Sequence, residues 1–333
     1  MDVTGFLRRS NILLVVGKGG VGKTTTAAAV ANLAADAGLD VLVVALDDAT
    51  ELATLFGHVG PLGYEETTVR APQGPPGETG PEAGKGPLRR PGRVRARVLT
   101  SDAALLEYLA SHGLGRFAAR LLRTGTLEIV ATAVPGIREV LILGKVRQLE
   151  EASIADLIVL DAPATGHALS FLSSSGGLAD AARGGPLRTQ ADQVVAMLTD
   201  PARCQVVLVT IPEETPVNEA VETAFRLEDE IGVALAPVVV NCCYPVREHL
   251  DTDPAQAAAE AGLPRLAPGV AEALRRAATF RRGRQQLQAA QLARLAERLP
   301  LACLELPYLF TAELGPTELR RLVSVLATSI AAL

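Results

Sequence analysis

The sequence has few aromatic residues and few cysteines. Aromatic side chains make up 3% of the 333 residues, and tryptophan is absent. Because proteins that bind single-stranded nucleic acid stack the bases on aromatic rings, this composition argues against base recognition. The net charge of -5 supplies no overall basic field, so no nucleic-acid partner is expected. The four cysteines are too few for a disulfide framework, which fits a reducing compartment.

Long hydrophobic runs are also missing. The apolar stretch at residues 12–16 is too short for the hydrophobic core of a signal peptide. No stretch reaches the ~18 consecutive apolar residues of a membrane-spanning helix, so no intrinsic transmembrane segment is expected. We therefore expect a cytoplasmic protein, and peripheral association with a membrane remains open.

The sequence does contain short apolar runs that alternate with longer segments of helical period. Each run has the composition of a buried parallel strand, and the runs cover residues 12–16, 41–46, 157–160, 206–211, 238–240 and 301–304. This alternation predicts a doubly wound α/β fold with a mainly parallel sheet. We expect one domain over residues 1–333.

Two segments interrupt the alternation. Residues 71–93 include twelve prolines and glycines, which predicts a disordered surface loop, with a binding role as the alternative. Between residues 102 and 151 the apolar pattern is helical, so we expect a helical subdomain inserted between two strands of the sheet.

A glycine-rich motif joins the first predicted strand to a predicted helix, which is the context of a Walker A loop. Its glycines let main-chain N–H groups surround phosphates, Lys23 reaches the β and γ phosphates, and Thr24 supplies a Mg²⁺ ligand. The motif predicts a P-loop that binds a nucleoside triphosphate with Mg²⁺. The predicted nucleotide-binding residues of the loop are Gly17, Lys18, Gly19, Gly20, Val21, Gly22, Lys23, Thr24 and Thr25.

Acidic residues follow two of the predicted strands. Asp47 and Asp48 close the second strand, and Asp161 closes the third. Parallel topology places these strand ends beside the P-loop. We predict that Asp47 orients the attacking water, although a register shift of one residue would give this role to Asp48. The predicted magnesium residues are Thr24, Asp47 and Asp161.

The second lysine of the loop, Lys18, is additional to the one that a P-loop requires. The motif resembles the deviant Walker A loop of the ParA, MinD, nitrogenase iron protein and ArsA group, in which the equivalent lysine crosses a dimer interface. The resemblance implies that Lys18 contacts the partner's nucleotide. The predicted catalytic residues are therefore Asp47, Lys18 and Lys23.

Further stretches are similar to the ArsA family, which includes the tail-anchored-protein targeting ATPases. They are residues 199–201, 211–213, 216–220 and 239–241, so the resemblance extends over nearly the whole chain. In that family the asparagine matching Asn241 recognises adenine, and Pro307 falls where the last adenine-pocket loop is expected. The resemblance thus implies ATP rather than GTP as the nucleotide.

The resemblance also implies a dimer. Residues 184–192 and 198–200 look most like the ArsA-related ATPases that actinobacteria often encode in pairs, so both a homodimer and a heterodimer with a paralogous ATPase remain open. Three functions are compatible with the sequence. The first is a Mg²⁺-dependent ATPase whose nucleotide-driven dimer closure handles a protein or membrane-associated client. The others are the energising subunit of an anion or metalloid pump and a positioning switch like ParA or MinD.

Cysteine placement favours the first of these functions over the pump. Arsenite-pump ATPases bind arsenite through three thiolates, and many targeting ATPases hold zinc through a Cys-x-x-Cys motif, which this sequence lacks. Cys204 precedes a predicted strand, whereas Cys242 and Cys243 follow one. In a parallel sheet these positions lie about 20 Å apart, so the three thiols are not expected to share an ion within one subunit.

Overall fold

The computed structural model describes residues 2–46, 48–71, 92–111, 113, 136–181 and 184–333. Asp47 lies outside the described residues. So do most of the predicted loop at residues 71–93 and the middle of the predicted helical subdomain. The extents of that loop and subdomain therefore stay predictions.

Nine strands of the described residues form one mixed, mostly parallel sheet. In chain order they are β1 (Ile12–Gly17), β2 (Val41–Leu46), β3 (Thr67–Arg70), β4 (Val94–Leu99), β5 (Leu157–Ala164), β6 (Cys204–Thr210), β7 (Ala234–Leu235), β8 (Val238–Cys243) and β9 (Cys303–Pro307). Their order in the sheet is β3-β4-β2-β5-β1-β6-β8-β9, with β7 paired to β6. The β3–β4 pair is antiparallel and the other pairs are parallel.

The described residues also form eleven α-helices. They are α1 (Val3–Leu7), α2 (Lys23–Asp36), α3 (Thr50–Phe56), α4 (Ser101–Ser111), α5 (Ile137–Glu151), α6 (Thr165–Ala181), α7 (Pro186–Thr199), α8 (Glu214–Arg226), α9 (Pro254–Glu260), α10 (Pro268–Arg298) and α11 (Pro316–Ala331). Neighbouring residues of β1 belong to different apolar clusters, with Leu14 in one and Leu13 and Val15 in the other. Both faces are therefore packed, as predicted for a doubly wound α/β fold.

The six predicted strands are present; the second has its predicted bounds and the other five have shifted ends. Strand β5 continues beyond Asp161, and the last strand begins at Cys303 instead of residue 301. That last strand is an edge strand in which Leu304 and Leu306 are buried while Glu305 is exposed. Because its burial alternates, the apolar run alone misplaced its bounds.

The pattern of apolar runs does not predict strand β4, because this strand carries two arginines. The Arg97 side chain is buried and its guanidinium lies 4.6 Å from the centre of the Tyr64 ring. Arg95 forms a salt bridge with Glu66. These tertiary partners allow charged residues inside the sheet, and a pattern of apolar residues cannot reveal them.

Candidate nucleotide-binding site

The P-loop occupies the space between the end of β1 at Gly17 and the start of α2 at Lys23. Gly22 has a φ of 88°, which favours glycine, and a Cβ there would lie 2.3 Å from Asn241 Nδ2. A Cβ at Gly17 would lie 2.3 Å from the Val209 carbonyl oxygen. Both positions need glycine because neighbouring strands approach the loop closely.

Lys23 lies at the N-terminus of α2 and is half buried. Its Nζ donates a hydrogen bond to the Lys18 carbonyl oxygen at 3.3 Å. Burial lowers the pKa of the Lys23 ammonium, and the negative charges of Asp161 and Glu51 oppose this shift. The loop thus holds a partly desolvated cation at a helix N-terminus, an arrangement that attracts phosphate.

Asp161 lies next to the P-loop because β5 pairs with β1, where Asp161 is in register with Val15. Thr24 Oγ1 donates a hydrogen bond to Asp161 Oδ2 at 2.6 Å. The other carboxylate oxygen, Oδ1, is buried and has no hydrogen-bond partner among the described residues. Burial raises the pKa of the Asp161 carboxyl, whereas the Thr24 hydrogen bond and the Lys23 charge lower it.

The segment after β2 contains the two alternative carboxylates. Asp48 Oδ1 accepts hydrogen bonds from Thr50 N at 2.9 Å and from Thr50 Oγ1 at 2.7 Å. These bonds lower the pKa of the Asp48 carboxyl and connect it to the first turn of α3. Asp47 lies outside the described residues, so its role stays a prediction.

The two predicted adenine-pocket residues lie on neighbouring strands. Asn241 on β8 is buried, and its Nδ2 donates a hydrogen bond to the Val21 carbonyl oxygen at 3.0 Å. Pro307 ends β9 and pairs with Cys243. Asn241 is therefore in contact with the P-loop, whereas Pro307 is the last residue of the neighbouring strand β9. A contact with adenine stays a prediction for both residues.

Two acidic residues beside the loop were not assigned a role from the sequence. Thr25 Oγ1 donates a hydrogen bond to Glu51 Oε1 at 3.2 Å, and Lys18 Nζ donates one to Glu219 Oε1 at 2.5 Å. Glu51 lies in the first turn of the helix after β2, which could have indicated it. Glu219 is 201 positions from Lys18, and no local pattern connects them.

The four cysteines lie at two ends of the sheet. Cys204 and Cys303 begin β6 and β9, whereas Cys242 and Cys243 lie at the end of β8, as the sequence predicted for Cys204 and the vicinal pair. Burial raises the pKa of all four thiols. Within the described ranges, no group of three or more His, Cys, Asp or Glu side chains could hold a metal ion.

A glycine-rich loop between a central parallel strand and a helix, with its threonine bonded to the carboxylate of the adjacent strand, defines a P-loop nucleoside triphosphatase. A family model for anion-transporting ATPases matches residues 10–72 and 110–180. The chain belongs to this family, the ArsA-type ATPases, and is an ATP-hydrolysing enzyme. The resemblance seen in the sequence is thereby confirmed.

Three relatives show how far the similarity extends. "ATPase BagA" of Mycobacterium tuberculosis is 34% identical over 254 residues, which cover 74% of this chain and 68% of that protein. "Arsenical pump-driving ATPase" of Escherichia coli is 30% identical over 219 residues, 65% of this chain and 32% of that protein. "ATPase GET3C" of Arabidopsis thaliana is 34% identical over 169 residues, 48% of this chain and 40% of that protein.

None of the helices in the described part of the chain is long and apolar enough to cross a bilayer.

Proposed function

We propose that the chain is a Mg²⁺-dependent ATPase that closes as a dimer when it binds ATP, and that closure acts on a protein or membrane-associated client. The observation that carries this proposal is the different placement of the two P-loop lysines. Lys23 Nζ donates a hydrogen bond to the main chain of the loop, at the Lys18 carbonyl oxygen. Lys18 Nζ is directed instead to Glu219 of α8, and 39% of the Lys18 side chain is exposed. A second chain could therefore reach Lys18.

The residues around the loop fit an ATP complex with one Mg²⁺ ion. Thr24 and Asp161 would hold the ion, and the buried, unpartnered Oδ1 of Asp161 supports a cation at this position. When bound, the ion neutralises charge on the β and γ phosphates. Lys23 binds the same phosphates, and Asp47 orients the water that attacks the γ phosphate in line.

The distribution of exposed apolar side chains supports a protein partner or client. Of the large apolar side chains that are exposed in the described part of the chain, nine of eleven follow β8 in the sequence, namely Val246, Leu263, Val270, Leu274, Phe280, Leu287, Tyr308, Phe310 and Leu333. Exposed apolar side chains are available for contact with another protein. Both a homodimer and a heterodimer with a paralogous ATPase are compatible with these exposed side chains.

Some relatives are named as ATPases that drive arsenical pumps. A pump role for this chain would need thiolates that converge on the metalloid. Cys204 and the Cys242–Cys243 pair lie at opposite ends of the sheet, so the cysteines lend that role no support. We therefore propose the client-handling role.

Replacing Lys18 by alanine tests the proposed dimer. We expect the variant to bind ATP within about twofold of the wild type, because Lys18 Nζ is directed to Glu219 of α8 and away from the bound phosphates that Lys23 would contact. Turnover should fall roughly 10³-fold, the lower end of the effect of a cation supplied in trans. Sedimentation with a non-hydrolysable ATP analogue should show dimers for the wild type and monomers for the variant.

The conservative Lys18→Arg change is the matched control, since it keeps the charge and should keep part of the dimer. If Lys18→Ala loses ATP affinity as strongly as a Lys23 variant, Lys18 acts on its own nucleotide. Normal dimer formation by Lys18→Ala would equally refute the proposal.

A further inference from the structure

An ion pair connects the P-loop to α8. Lys18 Nζ lies 2.5 Å from Glu219 Oε1, and the two side chains are 39% and 36% exposed. The contact is a charge-assisted hydrogen bond, which is stronger than a bond between neutral groups. Its exposure to water limits its free energy to that of a surface ion pair. The pair can therefore hold Lys18 in place and still be broken by a moderate competing interaction.

Glu219 is the fixed member of this pair. Its helix, α8, buries Val217 and Val221 in one of the two apolar clusters of the sheet. The residue before the helix, Glu213, forms a salt bridge of 3.0 Å with Arg284 of α10. Lys18, by contrast, lies in a loop and has a long unbranched side chain. When the pair breaks, we expect the lysine to move and the carboxylate to stay.

A second contact connects Lys18 to the nucleotide site. Lys23 Nζ donates a hydrogen bond to the Lys18 carbonyl oxygen at 3.3 Å. A phosphate oxygen is a charged acceptor, so a bound nucleotide competes with this carbonyl for the Lys23 ammonium. Once Lys23 turns to the phosphates, the Lys18 main chain loses that contact. The ion pair with Glu219 is then the contact that retains the Lys18 side chain on its own subunit.

We propose that Glu219 is a positioning residue that holds Lys18 on its own subunit and so opposes dimer closure, also in the ATP-bound chain. This inference rests on the proposed action of Lys18 across the dimer. Each closed dimer requires two such pairs to break, one in each subunit. An exposed ion pair changes an equilibrium by up to about fivefold. Two pairs together would change the dimer dissociation constant by up to about 25-fold.

Replacing Glu219 by glutamine removes the charge and keeps the size of the side chain. We expect the dimer dissociation constant, measured by sedimentation with a non-hydrolysable ATP analogue, to fall by about 2-fold to 25-fold. The matched control is Glu222→Gln, an exposed glutamate three residues further along α8, which should leave the constant unchanged. The double variant Lys18→Ala/Glu219→Gln should dimerise no better than Lys18→Ala alone, because the carboxylate acts through the lysine.

Amine acetylation followed by mass spectrometry measures how far the ion pair protects the Lys18 amine, and the measurement does not require dimer formation. In the ADP-bound chain, Lys18 should react severalfold faster in Glu219→Gln than in the wild type or in Glu222→Gln. Equal labelling overturns the inference, and so does a dimer constant that is unchanged or weaker in Glu219→Gln. A Lys18→Ala chain that closes normally refutes the proposed function, and the inference falls with it. If Lys18→Ala behaves as expected but Glu219→Gln does not, the inference about Glu219 is overturned and the proposed function is unaffected.

Discussion

Replacing Lys23 by alanine is expected to abolish ATP binding and hydrolysis together. The Lys23 ammonium is half buried at the start of α2, where Asp161 and Glu51 already contribute two negative charges. Without the lysine, triphosphate oxygens would face these carboxylates with no side-chain cation over the loop. We expect affinity for a fluorescent ATP analogue to fall at least about 100-fold, because the interaction is made in the ground state and in the transition state alike.

The control for this variant is Arg282→Ala, which removes one positive charge from an exposed position on α10. It should bind the analogue like the wild type, and thermal unfolding of both variants checks that they fold. If Lys23→Ala binds ATP with normal affinity, the loop is not the phosphate site and the assignment of the P-loop is wrong.

Replacing Asp47 by asparagine is expected to stop hydrolysis and leave ATP binding nearly intact. The change keeps the size of the side chain and removes the charge that would orient the attacking water. We expect the steady-state turnover number to fall by roughly 10³-fold, with the ATP dissociation constant within about threefold of the wild type. Single-turnover hydrolysis and equilibrium binding, measured on the same preparation, separate the two effects.

Asp48→Asn is the matched control because the two residues are neighbours. The Asp48 carboxylate already accepts two hydrogen bonds from Thr50, so its loss should affect the start of α3 more than the chemistry. Turnover in this variant should stay within a few fold of the wild type. If Asp48→Asn stops hydrolysis and Asp47→Asn does not, the register of this segment is shifted by one residue.

The P-loop and the central strands could be predicted because their signals are local. The segment around Gly22 and Lys23 carries its strand, loop and helix signals within a few residues, and Asp161 follows directly from the apolar strand before it. Parallel topology then places both at one edge of the sheet, where the structure pairs Thr24 with Asp161. The family resemblance added the expectation for Lys18, which residue types alone do not provide.

The contacts that the sequence did not reveal depend on chain segments that are far apart. Lys18 meets Glu219 across 201 positions, and Asn241 meets Val21 across 220. Arg97 fits inside β4 because the Tyr64 ring covers its guanidinium, a partner that hydrophobic periodicity cannot indicate. Tertiary packing decides such contacts, so they become visible only when the sheet order and helix placement are known.

The action of Lys18 across the dimer is tested most directly by mixing two inactive chains, Lys18→Ala and Asp47→Asn. In the mixed dimer, the site of the Lys18→Ala chain keeps its own Asp47 and receives an intact Lys18 from the other chain. The measurement is the ATPase rate against the mixing ratio at constant total protein. We predict a maximum at an intermediate ratio. If the rate stays at the level of the separate variants at every ratio, although subunit exchange is demonstrated, the proposed action of Lys18 on the partner's nucleotide is contradicted.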